Sequence, residues 1–422
     1  MKFNKTILKN GLRVITVPMK DNPTVTVLVM VEAGSKYETK EMNGLSHFLE
    51  HMCFKGTEKR PKVIDISGEL DSVGAQYNAF TSQEYTGYYA KADYKHLDML
   101  LDVVSDMYLN PVFNEREIEK EKGVIIEEIN MYEDLPHRKV QEIFANLLYG
   151  DQPAGWDIAG TKENIRNMKR SYFTDYRKNH YVASATTVVV AGKFDEKKTL
   201  DSLKKIWGDI SSGKKKGKIK TKESQDKPEV LIQNKDTDQT HMVLGVRSFD
   251  TYNKNNPALR VLTTVLSGGM SSRLFQKLRD EMGICYYVHA ENDTSTDHGV
   301  FQVSAGLDNK RVKEGIEAVM EEFRRLKTET VSADELNKVK QQIQGNLYLG
   351  LETSESFAEY CGYQEVLNKP IKMPEQIISE TEVVTAEDIK KIANKIFQDK
   401  NLNLAIVGRF KDKKEFLPIL KF

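Results

Sequence analysis

Two copies of one strand signature limit what this chain can fold into. Thr187-Val188-Val189-Val190-Ala191-Gly192-Lys193-Phe194 matches Asn403-Leu404-Ala405-Ile406-Val407-Gly408-Arg409-Phe410, and the two glycines lie 216 residues apart in a chain of 422. A short β-branched run closed by glycine reads as a buried strand, and meeting it twice at half the chain length implies duplication of a whole domain. Long amphipathic segments repeat as well, from Glu117 and from Glu335, 218 apart. Between the copies, residues 211–228 turn polar, basic and glycine-interrupted, with Ser211-Ser212-Gly213-Lys214-Lys215-Lys216-Gly217-Lys218 reading as a solvated linker. The expectation is an α+β fold of two homologous domains, residues 1–212 and 225–422 joined by a linker at 213–224, each a largely antiparallel sheet packed with helices.

Only the first copy carries His47-Phe48-Leu49-Glu50-His51. At about 100° of turn per residue, His47 and His51 share one helix face and Glu50 flanks them. Two imidazoles suit Zn²⁺, and a carboxylate beside the ligand axis suits proton removal from bound water. Such an ion needs one more protein ligand and one open position. The run from Glu115 to Ile129 reads as a long amphipathic helix with Val124, Ile125 and Ile129 free to face a core. Glu121 and Glu128, seven apart, fall on one stripe, so that Glu128 is placed to bind the metal while Glu121 holds an imidazole from behind. Glu127 is the rival ligand.

The remaining elements follow from pattern. Residues 12–18 and 25–32 read as strands about Asn22-Pro23, residues 63–73 as a helix, and residues 85–90 as an aromatic-rich strand. Residues 94–109 repeat apolar side chains at helical spacing until Pro111, helical segments continue at 141–148 and 162–179, and residues 186–192 close the first half.

Composition narrows the function classes. Sixty-two basic and 62 acidic residues cancel, leaving no global field to recruit nucleic acid or an anionic membrane. Cys53, Cys285 and Cys361 are too few and too scattered for a disulfide framework. No apolar stretch reaches membrane length and no signal peptide opens the chain, so a cytoplasmic protein is expected. No Gly-x-x-x-x-Gly-Lys-Ser/Thr pattern for ATP is present.

The motif set resembles the inverzincin metallopeptidases, among them pitrilysin, insulin-degrading enzyme and the mitochondrial processing peptidase. The resemblance implies one Zn²⁺ per chain on His47, His51 and Glu128, which lies 77 positions after His51, with Glu50 as general base and Glu121 behind the ligands. It favours Glu128 because the family's seven-residue glutamate spacing starts at Glu121, whereas Lys120 precedes Glu127 by seven. It makes Gly74-Ala75-Gln76-Tyr77-Asn78-Ala79-Phe80-Thr81 an edge strand beside the metal, with Asn78, Ala79 and Thr81 touching an added peptide strand. It also assigns Arg279 and Tyr286 of the second copy to a carbonyl oxygen turning negative, with Tyr287 the competing tyrosine. The implied activity is endopeptidase cleavage of peptides or unfolded segments. With every one of these residues in one chain, a homodimer enclosing a chamber is the simplest assembly. The other class is a non-catalytic, zinc-retaining peptide-binding or partner subunit.

Overall fold

Alternating apolar residues set the first sheet. In the computed structural model, which describes residues 2–422, strands β1 (Asn4–Ile7), β2 (Arg13–Pro18), β3 (Thr24–Val31), β4 (Gln76–Thr81), β5 (Thr86–Asp93) and β6 (Thr186–Gly192) pair in the order β1-β2-β6-β3-β5-β4. All neighbours run antiparallel except β2 and β6. Successive side chains on a strand point to opposite faces, so Val25, Val27, Val29 and Val31 enter one core while Leu28 and Met30 enter another. The sheet is therefore covered on both sides.

One face packs against helices α1 (Leu45–Cys53), α2 (Val63–Asp71) and α3 (Leu97–Leu109), and the core between holds Phe48, Leu49, Leu100 and Val104. Helices α4 (Glu115–Asp134) and α5 (Pro136–Tyr149) follow. The other face is covered by the helix Ser354–Val366, from the far end of the sequence. Its Phe357, Ala358 and Cys361 meet Ile15, Val17, Leu28, Met30 and Val189. Gly362 allows this close approach, since a Cβ there would lie 2.7 Å from the Met30 sulfur.

The second sheet repeats the first without β1. Strands β7 (Glu229–Asn234), β8 (Thr240–Arg247), β9 (Cys285–Thr294), β10 (Gly299–Leu307) and β11 (Asn403–Gly408) pair as β7-β11-β8-β10-β9, parallel only between β7 and β11. Here α5 covers the second face, with Val140, Phe144 and Leu148 on Val243, Ala405 and Val407.

Each sheet thus takes one covering helix from the other half of the sequence. The two compact units are discontinuous. One contains the chain up to Ile129, Asp157–Ile219 and Gly350–Met373; the other contains Asn130–Trp156, Lys220–Leu349 and Pro374–Phe422. The contiguous division at 1–212 and 225–422 is corrected accordingly. It separates the sheets but misplaces α5 and the helix Ser354–Val366, because an apolar helix stripe does not say which sheet it will cover.

Three local expectations change too. The segment 162–179 forms two helices, Lys162–Asn167 and Arg170–His180, as Met168 leaves the helix to enter the core. Val124 is 52% exposed, while Ile118, Ile125 and Ile129 carry the buried stripe of α4. Residues 211–228 form neither helix nor strand, yet the first part of this linker is clipped down. Lys215 pairs with Glu32, Lys218 pairs with Glu84, and the Lys216 N–H donates to the Asn179 carbonyl at 3.1 Å. Among the described residues, no helix is long and apolar enough to cross a membrane.

Candidate metal centre

Helix α1 is amphipathic with a purpose for each face. Leu45, Phe48, Leu49 and Met52 are buried, and Phe48 meets Phe173 edge-on at 4.9 Å. That packing turns His47, Glu50 and His51 to the other side, where the two imidazoles lie 4.7 Å apart between ring centroids. The helix start is held by Glu38, only 2% exposed, whose carboxylate accepts from the Gly44 and Ser46 N–H groups and from Asn43 Nδ2. A carboxylate at a helix N-terminus satisfies orphan donors and opposes the helix dipole.

The third donor comes from α4. Glu128 Oε2 lies 3.6 Å from His47 Nε2 and 3.7 Å from His51 Nε2, and the three donor atoms fall within 4.8 Å of one another. Glu127, by contrast, is exposed. One helical repeat before Glu128, Glu121 accepts from His51 Nδ1 at 2.9 Å and pairs with Lys55 Nζ at 2.6 Å. This bond fixes the His51 tautomer with its Nε2 lone pair turned to the centre.

The donors fit zinc. Separations of 3.6 and 3.7 Å are too long for hydrogen bonds. They are close to the edge of about 3.4 Å that a tetrahedron with bonds near 2.1 Å requires. Two imidazoles and one carboxylate, with a fourth position left over, make the ligand set of a catalytic rather than a structural zinc site.

Burial and pairing set the charges. Burial pushes His47 down to about 4, with the adjacent His51 adding to the effect. Burial alone would lower His51, but the hydrogen bond to Glu121 and the neighbouring carboxylates outweigh it and raise the group. Glu121 is held below the usual carboxylate range, its burial being overcome by His51 and Lys55. Glu50 is raised by burial, and the bonds that favour its ionised form offset this only in part.

Edge strand β4 lies against α1. Thr81 Oγ1 donates to Glu50 Oε2, which ties the end of the edge strand to the carboxylate. Asn78 is exposed, and its Oδ1 accepts from the Ala79 N–H at 2.9 Å. Ala79 itself is half-buried.

Arg279 and Tyr286 belong to the second unit and meet there. Arg279 sits on a π-helical segment, Phe275–Glu281; its Nη1 donates to the Tyr286 carbonyl at 2.8 Å, and its guanidinium lies 5.2 Å from that tyrosine's ring. Tyr286 is 71% exposed. Tyr287 points the other way: its ring crosses Gly306, where a Cβ would come within 2.6 Å of it, and its hydroxyl reaches His241 Nδ1 at 2.9 Å. Of the two tyrosines, Tyr286 is the exposed one and Tyr287 is half-buried.

Comparison with known proteins agrees with this geometry. Residues 13–162 match the family described as Insulinase (Peptidase family M16), and residues 167–343 match the Peptidase M16 inactive domain. A protein of Bacillus subtilis named an uncharacterized zinc protease is 34% identical over 394 residues, covering 93% of this chain and 95% of that protein. The chain belongs to the M16 family. Another uncharacterized zinc protease, from Rickettsia felis, is 33% identical and covers 96% of this chain and 97% of its own length. The fold recurs in a protease from Helicobacter pylori, with a TM-score of 0.89 at 24% identity, covering 96% of this chain and 99% of that one. It recurs again in a peptidase M16 inactive domain from Pseudomonas fluorescens, with a TM-score of 0.90 at 15% identity, covering 97% and 99%.

Within this M16 chain the family match places His47, Glu50, His51 and Glu128 in the first matched segment, and Arg279 and Tyr286 in the segment described as inactive. Sequence reasoning missed Glu38 and Lys55. Lys55 stands two residues beyond the last residue of α1, in the loop that follows it, so no helical spacing signals it. Glu38 acts through a loop, and no periodicity signals it.

Proposed function

We propose that this chain is a zinc-dependent endopeptidase acting on peptides or unfolded segments, with Glu50 as the general base. The observation that carries this reading is the convergence of His47, His51 and Glu128 beside a carboxylate oriented by Thr81. When bound, zinc supplies an acidified water and a Lewis acid for a peptide carbonyl. Glu50 takes the proton of the attacking water and returns it to the leaving amine. Glu121 and Lys55 hold His51 in place behind it. An extended peptide adds to the free edge of β4, where the Asn78 amide must release the Ala79 N–H to admit it. Arg279 and Tyr286 donate hydrogen bonds to the carbonyl oxygen as it becomes negative.

The active assembly is proposed to be a homodimer whose chamber admits unfolded chains, with one zinc per subunit. A cytoplasmic setting agrees with three free thiols, two of them buried. The test is Glu50→Gln, assayed on a fluorogenic peptide with and without chelator, with zinc quantified and products identified by mass spectrometry. Retained zinc with lost turnover supports the reading. Full activity in the variant removes Glu50 from the mechanism, and zinc-replete wild-type protein that binds but cleaves no peptide supports the non-catalytic class.

A further inference from the structure

The basic linker lies on the turn that positions Glu50. Thr81, which donates to Glu50, is the last residue of β4, and the turn joining it to β5 follows at once. That turn is braced by its own Ser82 N–H to Tyr85 carbonyl bond at 2.8 Å. It is also gripped from outside, because the Lys36 N–H donates to the Gln83 carbonyl at 2.9 Å and the Lys36 ammonium pairs with Glu84 at 3.1 Å. Glu84 is 3% exposed and Lys36 1%. Into this nearly closed place the linker sends a second ammonium, that of Lys218. Removing a cation from water is costly unless its partner is well placed, so a lysine from a mobile-looking basic run would not settle here without a firm contact. Two further clips set its register, Lys215 on Glu32 and the Lys216 N–H on Asn179.

We propose that residues 213–219 are a strap holding the β4–β5 turn where Thr81 orients Glu50, and that Lys218 is a positioning residue for the reaction. The functional half of this inference rests on the peptidase reading; the docking half does not. A sequence that looks like a tether is thereby part of the support of the general base.

The test compares Lys218→Met, Lys218→Arg and Lys215→Met in the full chain, with steady-state kinetics on a fluorogenic peptide and hydrogen exchange of amides 80–86. Lys218→Met is expected to lower kcat about tenfold with KM within about twofold, since a small misplacement of a catalytic group costs rate more than binding. Lys218→Arg restores most of the loss. Lys215→Met, which removes a more exposed clip, gives a smaller change in the same direction. In a Thr81→Val background the Lys218→Met effect shrinks to less than about twofold, because the two changes act through one contact. Exchange at 80–86 speeds up in the Met variants. Unchanged exchange in both Met variants overturns the strap, and an equal kcat loss with or without Thr81 overturns the positioning role. Wild-type protein without peptidase activity defeats the functional reading, while the exchange experiment still decides whether the strap exists.

Discussion

Helix α4 and the helix Ala333–Leu349 occupy the same place in two copies of one domain, and they show how little of the fold depends on the metal. At the register of 218, Glu121 is replaced by Val339, 2% exposed, and Glu128 by Asn346, which is exposed. The helix after β3 carries both histidines, whereas its counterpart after β8, Asn256–Ser267, buries Leu259, Leu262, Val265 and Leu266 and has no histidine. Strand order and direction nevertheless agree, from the parallel pair through to the edge strand. Apolar stripes specify the architecture, and the candidate metal centre is a small set of polar residues grafted onto one copy.

The comparison breaks most visibly at Glu50. Glu50→Gln should lower kcat by roughly 10²–10⁴-fold, the usual contribution of a positioned base, and leave the zinc content of the first unit and the whole of the second unit unchanged. Next come the exchanged helices. Phe357→Ala and Phe144→Ala should each cost about 3–5 kcal/mol, as large core aromatics do. Denaturant titration should show Phe357→Ala destabilising the first unit and Phe144→Ala the second, although each residue lies in the opposite half of the sequence. Equal loss in the unit predicted from sequence position would restore the contiguous division.

In the second unit the expected effect is smaller and of another kind. Tyr286→Phe should lower kcat by about 10²-fold, the order seen when one oxyanion donor is removed, with zinc affinity unchanged. A change in zinc binding would show that Tyr286 acts on the metal ligands and not on the carbonyl oxygen. The smallest effect belongs to Glu38, which has no role in the second unit. Burial outweighs the hydrogen bonds from Ser46, Gly44 and Asn43 and pushes the carboxyl up to about 7 from 4.5. A group raised in the folded state contributes stability below its unfolded value and loses it as pH rises through the folded one. Stability should therefore fall between about pH 4.5 and 7, and Glu38→Gln should flatten that slope.

Much of this was legible because it is local. His47, Glu50 and His51 lie on one helical turn, and the strand repeat around Gly192 and Gly408 predicted two related sheets. Glu128 was legible as a stripe partner of Glu121, but only the packed helix shows Glu127 turned to solvent. Val124 was misjudged because the stripe runs through Ile118, Glu121, Ile125 and Ile129, and residue 124 falls beside it. The unread features are non-local. Glu38 reaches α1 through a loop, Lys218 crosses to Glu84 from 134 residues away, and α5 and the helix Ser354–Val366 choose sheets that their own sequences do not name.

The central claim is that one ion is gripped by three side chains from two helices of the first unit alone. Anomalous diffraction at the zinc edge from crystals of the zinc-loaded protein tests it most directly. One ion per chain is expected, bonded at about 2.0–2.2 Å to His47 Nε2, His51 Nε2 and a Glu128 carboxylate oxygen. An ion held by other residues, or one with Glu128 out of bonding range, would contradict it.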